Sequence, residues 1–246
     1  MKYLASAILV AMTSALSTGA FADNDISKVN GGVRVEAGRT VGEVSSVNGS
    51  VRIEREVTAQ DVSTVNGSIE IGERSRVQSV ETVNGGVRID DGVQVADVES
   101  VNGNIKLGES VIVQGDITTS NGNLSAGKGS EIRGDVENVN GRIELDAAQV
   151  QGHLQTTSGD ITVGANSRVG GGITVKKPSM GWFNRNSRNP KVTIGENAVV
   201  NGTLKFDREV DLYVSETAKI GKVEGASARR FKGAEPLEKD LEVEKK

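Results

Sequence analysis

Val47-Asn48-Gly49-Ser50-Val51-Arg52-Ile53-Glu54 is the stretch that decides the fold, because close variants of it recur along the chain. Its asparagine returns six more times, and successive members are separated by a nearly constant spacing of about 18 residues. A fixed period of this length is typical of repeat architectures, in which each repeat stacks on the next. The members of this asparagine column are Asn30, Asn48, Asn66, Asn84, Asn102, Asn121 and Asn140.

After each Asn-Gly pair the repeat continues with two apolar residues that flank one polar residue, as in Val51-Arg52-Ile53. Alternation with a period of two predicts a short strand with one buried face. Polar stretches such as Asp90-Asp91-Gly92 follow these strands and predict a corner. Because aromatic residues make up only 3% of the chain, we expect a core of Val and Ile. The outward residues form a charged column that favours solubility and blocks sideways sheet pairing, made by Arg34, Arg52, Glu70, Arg88 and Lys106.

A second glycine column lies further along each repeat, in variants of the pattern Val-x-Gly-x-Ile. Two glycine corners and one polar corner divide each unit into three short strands. The sequence therefore predicts an all-β fold, a triangular parallel β-helix or single-stranded β-solenoid with about 18 residues per turn. The glycines of this second corner are Gly115, Gly134, Gly152, Gly171 and Gly202.

Asn-Gly suits the corner of such a coil for two physical reasons. Both residues tolerate the left-handed backbone region, and stacked asparagine amides can hydrogen-bond from turn to turn as a ladder. The alternative fold is a series of Asn-Gly hairpins in an antiparallel barrel or sandwich. We favour the coil, because hairpins require neither a fixed period nor a second glycine column.

The period is interrupted once. Residues 161–175 align without gaps to residues 192–206 at an offset of 31, which is one turn plus an insertion of 13. The inserted loop, placed at 176–190, combines cations with exposed aromatic residues, which suits an anionic glycan, a lipid headgroup or a partner protein. The alternative is a structural flap that covers the side of the solenoid. The candidate contact residues are Lys176, Lys177, Trp182, Phe183, Arg185 and Arg188.

The last turn aligns at an offset of 20, but Lys222 and Glu224 would then replace the glycine and leucine of the second corner. We therefore expect the solenoid to cover residues 23–225. Residues 226–246 are rich in Glu and Lys and predict a charged, disordered tail or a short capping helix.

The start of the chain has the pattern of a signal peptide. Lys2 is basic, residues 3–16 are mostly apolar, and Ala20-Phe21-Ala22 has the form of a cleavage site. We expect cleavage after Ala22 and export to the periplasm or the cell surface. No later stretch is apolar for long enough to span a bilayer as a helix, so no transmembrane segment is expected in the mature chain.

The composition of the chain excludes several kinds of partner and site. The net charge of −4 argues against a nucleic-acid partner, and the absence of cysteine excludes disulfides and thiolate zinc sites. His153, the only histidine, has no metal-type or triad partner at a comparable position. Because only one corner carries an insertion, the sequence offers no catalytic cleft, and we expect neither enzyme activity nor a cofactor.

A column of acids precedes the first valine of many repeats. Stacked carboxylates can bind calcium, which prefers oxygen ligands. The nonapeptide calcium repeat is missing, however, so solvated corner acids are the favoured interpretation. These acids are Glu43, Asp61, Asp97, Asp116 and Asp135.

Two parts of this chain resemble known protein families. The Val-Asn-Gly-x-Val-x-Ile units between Lys28 and Val163 resemble the bacterial adhesin-like β-strand-repeat family. The segment Val-Thr-Ile-Gly-Glu-Asn-Ala-Val-Val-Asn-Gly-Thr-Leu, residues 192–204, is similar to bactofilins, which are polymer-forming β-helical cytoskeletal proteins. The second resemblance implies a right-handed triangular β-helix that joins end to end. Neither resemblance implies catalytic residues.

These observations favour a noncatalytic exported β-solenoid that is a structural or adhesin-like element of the bacterial cell envelope. Its expected partners are other copies, joined end to end, or an envelope component. The alternative is a periplasmic binding module that recognises an anionic glycan or envelope polymer through loop 176–190.

Overall fold

The computed structural model describes residues 24–178, 188–233 and Pro236. These residues form 28 short strands joined by turns, and no helix occurs among them. Strands from successive turns pair in parallel, which makes a β-solenoid of about 11 turns with about 18 residues per turn. The predicted fold class is confirmed. The predicted signal peptide, residues 1–22, lies outside the described part of the chain.

Each turn passes through three strand positions, which we call the first, second and third faces in the order that follows the polar corner. The first face consists of β11 Ile112–Val113, β14 Glu131–Ile132, β17 Gln149–Val150, β20 Arg168–Val169, β23 Val199–Val200 and β26 Lys219–Ile220. In three earlier turns one strand of nine residues spans the first and second faces: β5 Thr58–Asn66, β7 Arg76–Asn84 and β9 Gln94–Asn102.

The second face leads into the Asn-Gly corner, and the third face follows it. The remaining second-face strands are β1 Ile26–Asn30, β3 Val44–Asn48, β12 Ile117–Asn121, β15 Val136–Asn140, β18 Leu154–Thr156, β21 Ile173–Val175, β24 Leu204–Phe206 and β27 Val223–Glu224. The third face consists of β2 Val33–Val35, β4 Val51–Ile53, β6 Ile69–Ile71, β8 Val87–Ile89, β10 Ile105–Leu107, β13 Leu124–Ala126, β16 Ile143–Leu145, β19 Ile161–Val163, β22 Lys191–Ile194, β25 Asp211–Ser215 and β28 Ala228–Phe231.

The core is a continuous column of aliphatic side chains. In β4 the two apolar residues Val51 and Ile53 are buried and Arg52 between them is exposed, and the same alternation recurs in the neighbouring turns. Because like residues stack in register, each turn closes the apolar surface of the next. With eleven strands on the third face and about 4.8 Å per strand, the stack is roughly 50 Å long.

The register places the insertion where the sequence predicted it. Ile161 pairs with Val192 and Ile173 pairs with Leu204, so both faces keep the offset of 31. The extra residues therefore leave the solenoid after β21 and return before β22, at the corner between the second and third faces.

The predicted end of the solenoid at residue 225 is too early. β28 continues the third face and pairs with β25, so the stack extends to Phe231, which is buried. The alignment of the last second corner was also wrong by one residue, because Leu204 pairs with Val223 and not with Glu224. Two residues separate β26 from β27, whereas three separate β23 from β24, and a single offset cannot represent that shortened corner.

In each of nine turns, one residue of the polar corner has the left-handed backbone conformation, with φ between 46° and 73°. The column asparagines do not have positive φ, so this part of the explanation for Asn-Gly was wrong for them. At the interior corners close approach explains the glycines instead, because a Cβ at Gly67 or Gly85 would clash with the glycine carbonyl of the preceding turn, whereas Gly31 and Gly141 have positive φ. The left-handed residues of the polar corner are Gly38, Glu56, Arg74, Gly92, Ser110, Gly129, Ala147, Asn166 and Asn197.

Across residues 24–178, 188–233 and Pro236, the structure has no helix long and apolar enough to cross a membrane.

Candidate functional site

The asparagine column forms a hydrogen-bonded ladder along an exposed corner. The Asn66 Nδ2 group donates to Asn48 Oδ1 at 2.9 Å, and Asn84 Nδ2 donates to Asn66 Oδ1 at 3.0 Å. The same bond joins every neighbouring pair from Asn30 to Asn140, with lengths from 2.9 to 3.2 Å. Each interior asparagine therefore donates to the turn before it and accepts from the turn after it, which fixes the register of the stack.

A second ladder runs inside the same corner and was missed at the sequence level. Thr64 Oγ1 donates to the Gly49 carbonyl at 2.9 Å, and Asn138 Nδ2 donates to the Gly122 carbonyl at 2.8 Å. These buried polar groups satisfy carbonyls that the tight corner leaves without a strand partner. The signal was present, because the residue two positions before each column asparagine is Ser, Thr or Asn in six of the turns. The members are Ser46, Thr64, Thr82, Ser100, Thr119 and Asn138.

The corner acids have a structural role at the second corner. Asp97 Oδ1 accepts the backbone N–H of Asp116 at 2.9 Å, and Asp116 Oδ1 accepts the N–H of Asp135 at 2.8 Å. Asp135 in turn accepts the N–H of His153, whose Nδ1 accepts the N–H of Gly172 at 2.9 Å. The solvated-acid interpretation therefore missed that these side chains bridge successive turns.

Glycine is required beside these acids because the side chains and backbones approach closely. A Cβ at Gly134 or Gly152 would clash with the aspartate side chain and the glycine carbonyl of the preceding turn. Gly171 and Gly202 face the same restriction from the backbone beneath them. Among the described residues, no group of three or more His, Cys, Asp or Glu side chains forms a candidate metal site.

Two half-buried glutamates stack on the second face. Glu81 and Glu99 occupy paired positions of β7 and β9, so one carboxylate lies over the other. Burial raises the pKa of Glu81, and repulsion from Glu99 raises it further. Burial likewise raises the pKa of Glu99, with Asp97 as the next cause. The ionised forms of both glutamates are therefore disfavoured in the folded chain relative to the unfolded chain.

The foot of the inserted loop is fixed by an ion pair. Arg188 makes two hydrogen bonds to the Asp160 carboxylate, at 2.9 and 2.6 Å, and the Lys191 backbone N–H donates to the same carboxylate at 2.9 Å. Burial alone would raise the pKa of Asp160, but the bonds from Arg188 and Lys191 outweigh it and lower that pKa. Arg188 is therefore a tether, although its side chain is 72% exposed.

The other candidate contact residues divide into two groups. The backbone N–H of Lys176 donates to the Thr156 carbonyl at 2.8 Å, which anchors the outgoing end of the loop, and both Lys176 and Lys177 are exposed. Trp182, Phe183 and Arg185 lie outside the described residues. The structure thus brings Lys176, Lys177 and Arg188 to the same corner of the solenoid.

A shallow groove of about 280 Å³ lies on the first face and was not predicted from the sequence. Ala96 occupies the position held by Gln78 one turn before and Gln114 one turn after, and its short side chain leaves the space. The groove crosses four turns, a length of about 14 Å. It has no acidic residue in its lining, which consists of Thr58, Ala59, Arg76, Val77, Gln78, Gln94, Val95, Ala96 and Gln114.

No protein-family model, no curated protein and no solved structure matches this chain. The resemblance to adhesin-like repeats and to bactofilins therefore stays a prediction. The ladders, the foot of the loop and the groove are the features from which a function can be inferred.

Proposed function

We propose that this protein is a noncatalytic, exported β-solenoid that serves as a structural, adhesin-like element of the bacterial cell envelope. The observation that carries the proposal is the regular stacking of about 11 turns with side-chain ladders between them. A scaffold in which each turn contacts only its neighbours is a one-dimensional rod, which suits a spacer or a filament unit. The signal-peptide pattern of residues 1–22 supports export.

The two ends of the stack support self-assembly. Among the described strands, β2 pairs only with β4, and β28 pairs only with β25, so each end presents a strand edge without a partner. Such edges can pair with a strand from another chain. Near the first edge, Val29 in β1 is 59% exposed, which leaves an apolar side chain for a neighbouring copy.

The experiment measures the mass of the purified chain, residues 23–246, by light scattering over a range of concentrations. We expect concentration-dependent assembly, and Val29→Lys should weaken it because a charged lysine on an edge opposes pairing. The matched control is Lys106→Ala, on an exposed side position far from both ends. A monomeric mass at every concentration would contradict self-assembly, and a chain found in the cytoplasmic fraction of the source cells would contradict export.

A second candidate function is binding of an anionic glycan or envelope polymer through the corner at loop 176–190. The specific observation that favours it is that Lys176 and Lys177 are exposed at the foot of the loop, which the Arg188–Asp160 ion pair holds in place. The groove on the first face offers a less charged surface to the same class of ligand. The glutamine amides in its lining both donate hydrogen bonds to sugar hydroxyls and accept hydrogen bonds from them.

Binding of purified envelope polysaccharide to the intact chain tests this second function. The double change of Lys176 and Lys177 to alanine should weaken binding at the loop, whereas the same change at the exposed residues Lys106 and Lys128 should not. Gln78→Ala weakens binding only if the groove contributes. Trp182→Ala should also reduce binding; a loss of stability with unchanged binding would instead identify the loop as a structural flap.

A further inference from the structure

We propose that Asn140 is a site of spontaneous covalent modification, at which the folded protein loses ammonia and gains an aspartate or isoaspartate. The backbone nitrogen of Gly141 attacks Cγ of the Asn140 side chain, a five-membered succinimide forms, and the side-chain nitrogen leaves as ammonia. Water then opens the ring at either carbonyl, which gives aspartate or isoaspartate. No oxidant, reductant or enzyme is needed, and the inference does not depend on the proposed envelope function.

Asn-Gly is the dipeptide best suited to this reaction, because glycine has no side chain to hinder the attacking nitrogen. The chain contains eight Asn-Gly pairs, so the folded structure decides which of them react. The pairs begin at Asn30, Asn48, Asn66, Asn84, Asn102, Asn121, Asn140 and Asn201.

In seven of the eight pairs the glycine N–H is held by a carbonyl of a neighbouring turn. Gly67 N–H donates to the Asn84 carbonyl at 3.1 Å, and Gly122 N–H donates to the Asn140 carbonyl at 3.0 Å. The same bond is made by Gly31, Gly49, Gly85 and Gly103, and Gly202 donates to Gly171 at 2.8 Å. A nitrogen engaged in this way must break its hydrogen bond before it can attack.

Asn140 differs because the column ends there. The next turn carries Ser158 where the others carry asparagine, and the Ser158 N–H donates to the Val139 carbonyl at 2.9 Å. Among the described residues, Gly141 N–H has no acceptor, and Asn140 Oδ1 has no ladder donor. The backbone at Gly141 has a φ of 129°, a conformation that the interior glycines of the column do not share.

The modification would change the end of the ladder. Asn140 keeps one bond, from its Nδ2 to Asn121 Oδ1 at 2.9 Å, and loss of the side-chain nitrogen removes that donor. An isoaspartate would also lengthen the backbone by one atom at the corner between β15 and β16. The fraction of modified Asn140 would therefore increase with the age of the folded molecule.

The test is peptide mapping by mass spectrometry of the intact folded chain during incubation at mildly alkaline pH. We expect conversion at Asn140 about tenfold or more faster than at Asn84, because the Asn84 pair must first break a backbone hydrogen bond. The control is the same chain unfolded in urea, in which all eight pairs should react at similar rates. Equal rates in the folded chain, faster conversion at an interior asparagine, or an Asn140 that reacts only when unfolded would each overturn the proposal.

Discussion

Replacing an interior member of the asparagine ladder should cost about twice as much stability as replacing the first member. Asn84 donates to Asn66 and accepts from Asn102, each at 3.0 Å, so Asn84→Ala removes two bonds. Asn30→Ala removes only the bond from Asn48, which is 3.2 Å long. Both positions are exposed, so the comparison changes the number of ladder bonds and little else.

The magnitude follows from the worth of one such bond. A hydrogen bond between exposed neutral side chains contributes about 0.5–1 kcal/mol to the free energy of unfolding. We therefore expect a loss of about 1–2 kcal/mol for Asn84→Ala and about half of that for Asn30→Ala. For a chain of this size, each kcal/mol lowers Tm by about 2–4 °C.

Urea unfolding followed by circular dichroism measures both variants against the unchanged chain. Neither substitution alters the backbone path, because the column asparagines do not have positive φ and alanine adopts the same conformation. Equal losses for Asn84→Ala and Asn30→Ala, or no loss in either, would refute the claim that stacked amides stabilise the coil.

Three further predictions concern other corners and faces. Because the pKa of Glu99 is raised in the folded chain, stability should fall as pH rises above the ordinary glutamate range, and Glu99→Gln should flatten that slope in unfolding titrations. Ala147 is left-handed with a φ of 46°, so Ala147→Gly should raise the free energy of unfolding by about 0.5–1 kcal/mol, whereas Ala96→Gly should lower it by a similar amount. Because the pKa of Asp160 is lowered, the stabilisation that this carboxylate provides is present at neutral pH and is lost as pH falls through its folded-state pKa. Asp160→Asn should therefore lower the free energy of unfolding by about 1–2 kcal/mol and release Arg188, which faster proteolysis at the loop would detect.

The period of the sequence was sufficient to predict the architecture. A repeat of about 18 residues with two glycine columns has few alternatives once each turn must bury its apolar residues against the next. The alignment of two segments at an offset of 31 located the insertion between β21 and β22 for the same reason. Stacked asparagines at one position per turn also implied the ladder, since like residues in parallel register face one another.

The details that escaped sequence reasoning depend on contacts between turns. No role was predicted for Thr64 and its equivalents, although their recurring polar side chains accompany the column asparagines. Asp97 was interpreted as a solvated acid, because the residues next to it in the sequence do not reveal that the backbone of the next turn lies against its side chain. The left-handed conformation falls on Glu56, Arg74 and Ala147, which give no sequence signal for positive φ. For Thr64 and Asp97, the backbone of an adjacent turn decides the role of the residue.

Electron microscopy of the purified chain, residues 23–246, tests the proposed structural role most directly. We predict filaments that lengthen with concentration and have an axial repeat of roughly 50 Å, the length of one stack of turns. Single particles no longer than one stack at every concentration would contradict the proposal.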